Sequence, residues 1–157
     1  MNIEWSTHML SGVVAGYAVT GGDWKGAIVG GVFAIVPDLD EPNSKFGKVI
    51  YPVSYLINKI FGHRTFFHSI LFMVIVGSLI TIFDDFSMAL AAVSGIFIHI
   101  VGDALVGKVY PLYPMKTAVG VKDLEPKAFK RRFILYDRIG RLLMLLLIVG
   151  IAYKDFL

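Results

Sequence analysis

The sequence predicts an all-α integral membrane bundle of about five helices, the first two short, in a single domain. Three observations carry that expectation. The chain of 157 residues is 56% hydrophobic, and its mean hydropathy is +0.70. Only 17% of the residues are charged, against about 25% in a soluble domain. A soluble protein this small has too much surface to carry so little charge, whereas positions facing lipid can be apolar. Finally, the apolar residues gather into five runs separated by polar stretches.

The first run extends from about Thr7 to Thr20 and the second from about Trp24 to Val36, with Gly21, Gly22 and Asp23 as the turn between them. The third runs from about Phe66 to Phe83 and the fourth from about Phe86 to Val106, joined tightly through Asp84 and Asp85. The fifth runs from about Phe133 to Tyr153. A spanning helix needs about 20 residues, which the last three approach. The first two, at about 14 and 13, are expected to be short, re-entrant or shielded by the others. Gly12 and Gly16 are four apart, as are Gly26 and Gly30. That spacing suits a close helix pair, although glycine is also common in membrane helices generally. The N-terminus has Glu4, no early lysine or arginine and no small-residue cleavage site, so the first run is expected to be retained.

Two polar stretches remain. Residues 37–64 contain an amphipathic piece from Tyr51 to Phe61, and residues 108–132 contain Pro111, Pro114, Pro126 and many lysines. Tyr51, Tyr55, Tyr110 and Tyr113 lie in these stretches, as interfacial placement would require. The first holds Lys45, Lys48, Lys59 and Arg64, and the second holds Lys108, Lys116, Lys122, Lys127, Lys130, Arg131 and Arg132. Arg138 and Arg141 open the last run, while the opposite ends have Lys25 and Lys154. With helices alternating in direction, both basic loops fall on one side. The positive-inside rule makes that side cytoplasmic, with the N-terminus on it and the C-terminus across the membrane. The basic run is a topology and headgroup signal, and no specific nucleic-acid binding is expected.

On this topology the histidines and several aspartates converge. His8 opens the first helix, Asp38 and Asp40 follow the second, His63, Arg64 and His68 lead into the third, and His99 and Asp103 close the fourth. All lie at the cytoplasmic ends. His99 and Asp103 are four apart and share a helix face, inside an apolar run where ionisable residues mark function. If residues 38–40 are extended, both carboxylates point one way, and one could bind an ion while the other orients a histidine. His63 is expected in the loop and His68 in the first helical turn. Arg64 is placed to hold a phosphate or carboxylate. With no cysteine in the chain, any metal must use imidazole and carboxylate.

Thr7-His8 with Gly12, Pro37-Asp38-Leu39-Asp40 with Ser44, Gly62-His63-Arg64 with His68-Ser69, His99-x-x-x-Asp103 and a proline-containing Tyr110–Pro114 loop occur in that order. This set resembles the YdjM family of membrane-bound metal-dependent hydrolases, itself distantly similar to zinc-dependent phospholipase C and P1-type nucleases. The resemblance covers about Thr7 to Pro114 and implies that His8, Asp40, His63 or His68, His99 and Asp103 are metal ligands. This chain departs from the pattern at Glu41, where histidine is frequent, at Phe67, and at Ile98.

The expected function is hydrolysis of a phosphate ester, with lipid a natural substrate class, at the cytoplasmic membrane face. One or two divalent ions, zinc fitting best, would serve as cofactor. Asp38 is the expected base or orienting partner, and Arg64 the group that stabilises developing charge. The alternatives are a non-catalytic metal-stabilised membrane protein and a metal-ion transporter.

Overall fold

The computed structural model describes residues 4–121 and 127–156, and those residues contain helices and no strand. In chain order they are α1 (Trp5–Val19), α2 (Trp24–Phe33), a 3-10 turn (Val36–Asp40), α3 (Lys45–Val49), α4 (Tyr51–Phe61), a second 3-10 turn (Phe66–His68), α5 (Ile70–Phe83), α6 (Phe86–Val106) and α7 (Lys127–Phe156). The all-helical expectation holds. The polar stretch between Asp40 and Gly62 holds two helices, α4 over the expected amphipathic piece and α3 in addition, because it contains its own stop and start signals. Ser44 caps α3 by accepting from Gly47 N at 2.8 Å, and Pro52 sits in the first turn of α4, where a missing N–H costs nothing. Lys122 and the side chains of Lys127, Lys130, Arg131, Arg132 and Lys154, with the C-terminal residue, lie outside the described residues.

The centre of the bundle is the trio α1, α2 and α6; α5 packs on α6, and α7 on α1. Small residues make the trio possible. A Cβ on Gly30 would overlap the carbonyl of Gly12 and the backbone of Gly16, and a Cβ on Gly95 would overlap the carbonyl of Gly30. The four-residue glycine spacing is therefore a packing device, drawing three backbones together at one level.

The caps are local. Asp23 accepts from Lys25 N, Ser69 from Phe72 N and Asp85 from Met88 N, at 2.8, 3.1 and 2.8 Å. The third apolar run therefore begins as a 3-10 turn, and its α-helix starts only at Ile70, after the Ser69 cap.

Among the described residues, α6 is the one helix both long and apolar enough to cross a membrane. Its 21 residues span about 31 Å, close to a hydrocarbon core of about 30 Å. In α7, Asp137, Arg138 and Arg141 interrupt the apolar run. Thr7 donates to Asp137 at 2.7 Å, and Arg141 pairs with Asp137 at 3.2 Å and with Glu4. The part of α7 around Asp137 and Arg141 thus lies beside the start of α1. The ends of α2 and α6 and the start of α5 meet there too, so one end of the bundle collects every motif singled out above.

Gly30→Ala should destabilise the protein by an amount at the upper end of the roughly 1–3 kcal/mol typical of overpacking, because backbone rather than a flexible side chain blocks the new methyl. Gly150→Ala, where the added Cβ meets nothing within 4 Å, should be neutral or stabilising by about 0.5–1 kcal/mol. Thermal unfolding of both variants in the same detergent tests the contrast, and equal midpoints would remove Gly30 from the packing argument.

Candidate metal centre

The centre is assembled from both 3-10 turns, the loop between α4 and α5, α1 and α6. His8, Asp40, His68, His99 and Asp103 are all buried to 2% exposure or less. Pro37 stops α2 from continuing, and the chain tightens into a 3-10 turn rather than extending, contrary to the expectation for residues 38–40. The two carboxylates are consequently separated in role. Asp40 turns inward, receiving His63 Nδ1 at 2.6 Å and the Arg64 backbone N–H at 3.0 Å, with His68 Nδ1 at 3.2 Å. Asp38, its side chain 19% exposed, faces His99 with Oδ1 at 4.0 Å from Nε2. Ser44 holds this turn closed by donating to the Asp38 carbonyl at 2.8 Å.

His68 ends the second 3-10 turn instead of lying in the first turn of α5. Both of its nitrogens face carboxylates, Nδ1 toward Asp40 and Nε2 toward Asp103 Oδ2 at 3.2 Å. Burial alone would lower its pKa, but the Asp103 and Asp40 carboxylates outweigh it and push it up to about 9. Burial acts against ionisation of Asp40 too, yet its bonds to His63 and His68 hold the carboxyl below its ordinary range. Burial pushes the Asp38 carboxyl up, with His8 pulling it down and Asp103 pushing it up to lesser degrees.

His99 Nδ1 lies 2.7 Å from the Ala34 carbonyl. A carbonyl can only accept, so Nδ1 has the hydrogen and Nε2 presents its lone pair to the centre. That Nε2 is 3.2 Å from His68 Nε2 and 3.8 Å from Asp103 Oδ2, and His8 Nε2 is 3.6 Å from Asp103 Oδ1. His8 stacks on His99 with ring centroids 3.9 Å apart. One donor atom from each of His8, His99 and Asp103 lies within 4.8 Å of the others. Zinc bonds of about 2.0–2.1 Å in a tetrahedron set ligand-to-ligand edges of about 3.3 Å. The observed separations bracket that length. The donor set therefore fits a divalent ion, and in the ion-free protein the His68 proton takes its place between the lone pair of His99 and Asp103.

The mouth of the centre is polar and partly exposed. His63, 27% exposed at its side chain, stands with Nε2 at 3.8 Å from Glu41 Oε2, away from the His8–His99–Asp103 group. Arg64 donates through Nε to Asp103 Oδ2 at 2.8 Å. Its backbone is in the left-handed region, φ 62°, and Tyr110 N donates to its carbonyl at 3.0 Å. A Cβ at Gly107 would collide with the guanidinium, so Gly107 leaves the channel through which Arg64 reaches Asp103. Three contributors were not read from the sequence. The Ala34 carbonyl left no signal, being backbone. Asn58, which donates to the Asp40 carbonyl at 2.8 Å, was visible only as a polar residue in an amphipathic helix. Asp137-x-x-x-Arg141 had the same i, i+4 spacing in an apolar helix that singled out His99 and Asp103.

With this geometry in hand, the comparison with known proteins is decisive for ancestry. Residues 1–155 match the profile of the YdjM inner membrane protein family. The chain belongs to this family. It is also 31% identical over 127 residues to the uncharacterized protein YvsG of Bacillus subtilis (strain 168), an alignment covering 80% of this chain and 72% of that protein. No solved structure matches it. The YdjM motifs converge in space: Thr7-His8, Asp38 to Asp40, His63 to His68 and His99 to Asp103 all border one centre.

Purified protein should retain a divalent ion, with His99→Ala and Asp103→Ala each removing most of it. Because His68 must lose a proton to offer Nε2 to an ion, zinc affinity should rise about tenfold per pH unit up to about pH 9 and then level off. The ion-free protein follows the opposite sign. A raised folded-state pKa contributes stability below pH 6.5 that is lost as pH rises through about 9, so its thermal midpoint should fall across that window. Calorimetric zinc titration and melting with and without chelator measure both, and a pH-independent affinity from 7 to 9 would exclude His68 from the coordinating set.

Proposed function

We propose that this protein is a membrane-bound, metal-dependent hydrolase that cleaves a phosphate ester at the cytoplasmic face of the bilayer, with zinc the best-fitting ion. The observation that carries this reading is the His68–His99–Asp103 triangle with edges of 3.2–3.8 Å, joined by His8 and opening toward Arg64 and Asp38. A bound divalent ion would supply Lewis-acid charge and acidify water. The chain's own groups account for the rest. His8, His68, His99 and Asp103 hold the ion, and Asp40 orients His63 and His68 through their Nδ1 atoms. Asp38 stands at the mouth as proton acceptor, its basicity raised by burial. Arg64 offers guanidinium hydrogen bonds to the phosphoryl oxygens, where charge grows in the transition state. His63 with Glu41 could receive a second ion.

The membrane assignment rests on α6 and on family membership. Helices α5 and α7 turn aliphatic side chains such as Val74, Leu79, Leu142 and Leu146 outward, all at least half exposed, which a bilayer would cover. Lys45, Lys48, Lys59, Lys108 and Lys116 belong to segments at the motif end, whereas Lys25 with Asp23, Asp84 and Asp85 lies at the other. That asymmetry supports a cytoplasmic position for the metal centre. A cysteine at Thr117 should react with an impermeant thiol reagent in inverted vesicles and not in intact cells, and the opposite pattern would reverse the orientation.

Tight burial of the four ligands favours a second reading, a closed structural ion without turnover. Arg64 separates the two. Arg64→Ala should leave zinc bound while lowering phosphodiester hydrolysis by about 10²–10³-fold, the scale of losing one charge-stabilising donor. Metal content, thermal stability and turnover on one preparation make the comparison, and lowered stability with unchanged turnover would assign Arg64 to the structure instead.

A further inference from the structure

Helix α4 has its polarity inverted. Ser54 is fully buried against the protein, Asn58 is tied to the Asp40 carbonyl at 2.8 Å, and Phe61 stacks on Phe66 at 4.8 Å. On the opposite side Val53, Leu56 and Ile60 are 54%, 56% and 62% exposed. Their spacing of i, i+3 and i+7 puts them on one helix face. A helix at a water-facing surface turns its polar face out. Here the polar face is turned into the protein, Asn58 reaching the metal centre, and the aliphatic face is left outside, where an apolar medium would suit it.

The length of α4 restricts that medium. Eleven residues make about 16 Å of helix, half of what a hydrocarbon core requires. Lys59 flanks the aliphatic stripe, and Tyr51 and Tyr55 are both 52% exposed, a composition suited to headgroup depth. The helix also lies at the same end of the bundle as the C-terminus of α6, where a membrane surface would be. A second copy of the chain is a poor fit for so narrow a stripe, because a stable protein interface takes about 20–30 residues a side.

We infer that α4 lies in the plane of the bilayer surface, with Val53, Leu56 and Ile60 among the acyl chains and Lys59 at anionic phospholipid headgroups. In that position it holds the mouth of the metal centre at headgroup level. The linkage is short: Asn58 fixes the Asp40 carbonyl, and the Asp40 carboxylate fixes His63 and the Arg64 backbone. Any displacement of α4 from the membrane surface would move the polar mouth with it. The inference rests on the membrane reading of α6 and is independent of hydrolysis.

The chain has no cysteine, so single cysteines report cleanly. Leu56→Cys and Ile60→Cys, each carrying an environment-sensitive fluorophore, would be reconstituted in phosphatidylcholine–phosphatidylglycerol vesicles. Asn43→Cys serves as the aqueous control and Phe97→Cys, on the exposed side of α6, as the bilayer control. All four positions are exposed, and unchanged helical content and melting midpoint would confirm that each labelled protein is folded. Labels at Leu56 and Ile60 should be quenched by lipids with brominated acyl chains and shielded several-fold from iodide relative to Asn43. Iodide quenching equal to that at Asn43, with Phe97 still quenched by lipid, would overturn the inference while leaving α6 in the bilayer. Loss of lipid quenching at Phe97 as well would overturn both. Shielding from both quenchers, with Leu56→Cys cross-linking between chains, would give the face to a second copy instead.

Discussion

A carboxylate removed from water must be met by donors on several sides, and Asp40 is met by four residues from three pieces of chain. Its side chain receives His63 Nδ1 and the Arg64 N–H and faces His68 Nδ1, while Asn58 of α4 binds its carbonyl. Each partner comes from a segment that would otherwise be a loose connection between α2 and α5. Removing one partner from a buried, paired charge typically costs about 3–5 kcal/mol. That penalty forces the two 3-10 turns, α4 and the Gly62–Thr65 loop into one arrangement. The geometry of the centre follows: once Asp40 has fixed the histidine rings, His68 can only present Nε2 toward His99 and Asp103.

Asp103 is the second concentration of charge, and its place on α6 is unfavourable by itself. A carboxylate near a helix C-terminus opposes the macrodipole. Arg64 answers this with a bond to Oδ2 at 2.8 Å, reaching it over Gly107. The segment after α6 then folds back to complete the cover. Val121 N donates to the Ala104 carbonyl at 2.9 Å, satisfying one of the orphan acceptors at the helix end. Tyr110 N meets the Arg64 carbonyl, and Val109 is buried against the core. The proline-containing loop thereby braces the Arg64 guanidinium.

Residue order in the sequence was enough to show which residues share an end of the bundle, because hydropathy sets helix ends and helix ends set the level of His8, Asp38, His68 and Asp103. It was enough for the glycine contacts as well, since a four-residue spacing of small residues has a direct geometric meaning on a helix. It was not enough to separate Asp38 from Asp40. Whether three residues after a proline extend or tighten into a 3-10 turn is decided by what their side chains find, and the partners of Asp40 lie 23 or more positions away. His63 and His68 were equally open for the same reason: both face the Asp40 carboxylate, and only the second turn, ending at the Ser69 cap, directs His68 inward. The amphipathic piece from Tyr51 to Phe61 is α4, whereas α3 left no such signal, because a five-residue helix depends on its Ser44 cap and on packing rather than on periodicity.

Charge balance links these parts to an ion. With Asp38, Asp40 and Asp103 ionised and Arg64 present, the formal sum is −3 + 1 = −2 when the four histidines are neutral. The ion-free protein reduces that deficit by keeping His68 protonated, which is why an imidazole between two buried carboxylates holds its proton up to about pH 9. A divalent cation would remove the deficit entirely and would leave His68 free to lose that proton. It also relieves Asp103, whose Oδ2 is bonded by Arg64 at 2.8 Å and faced by His68 at 3.2 Å. An ion sharing that oxygen would compete with the guanidinium for it. On the proposed function, the arginine that neutralises the ion-free centre would be the group that meets a phosphoryl oxygen in the loaded one, and Gly107, which lacks the Cβ that would collide with the guanidinium, keeps that place open.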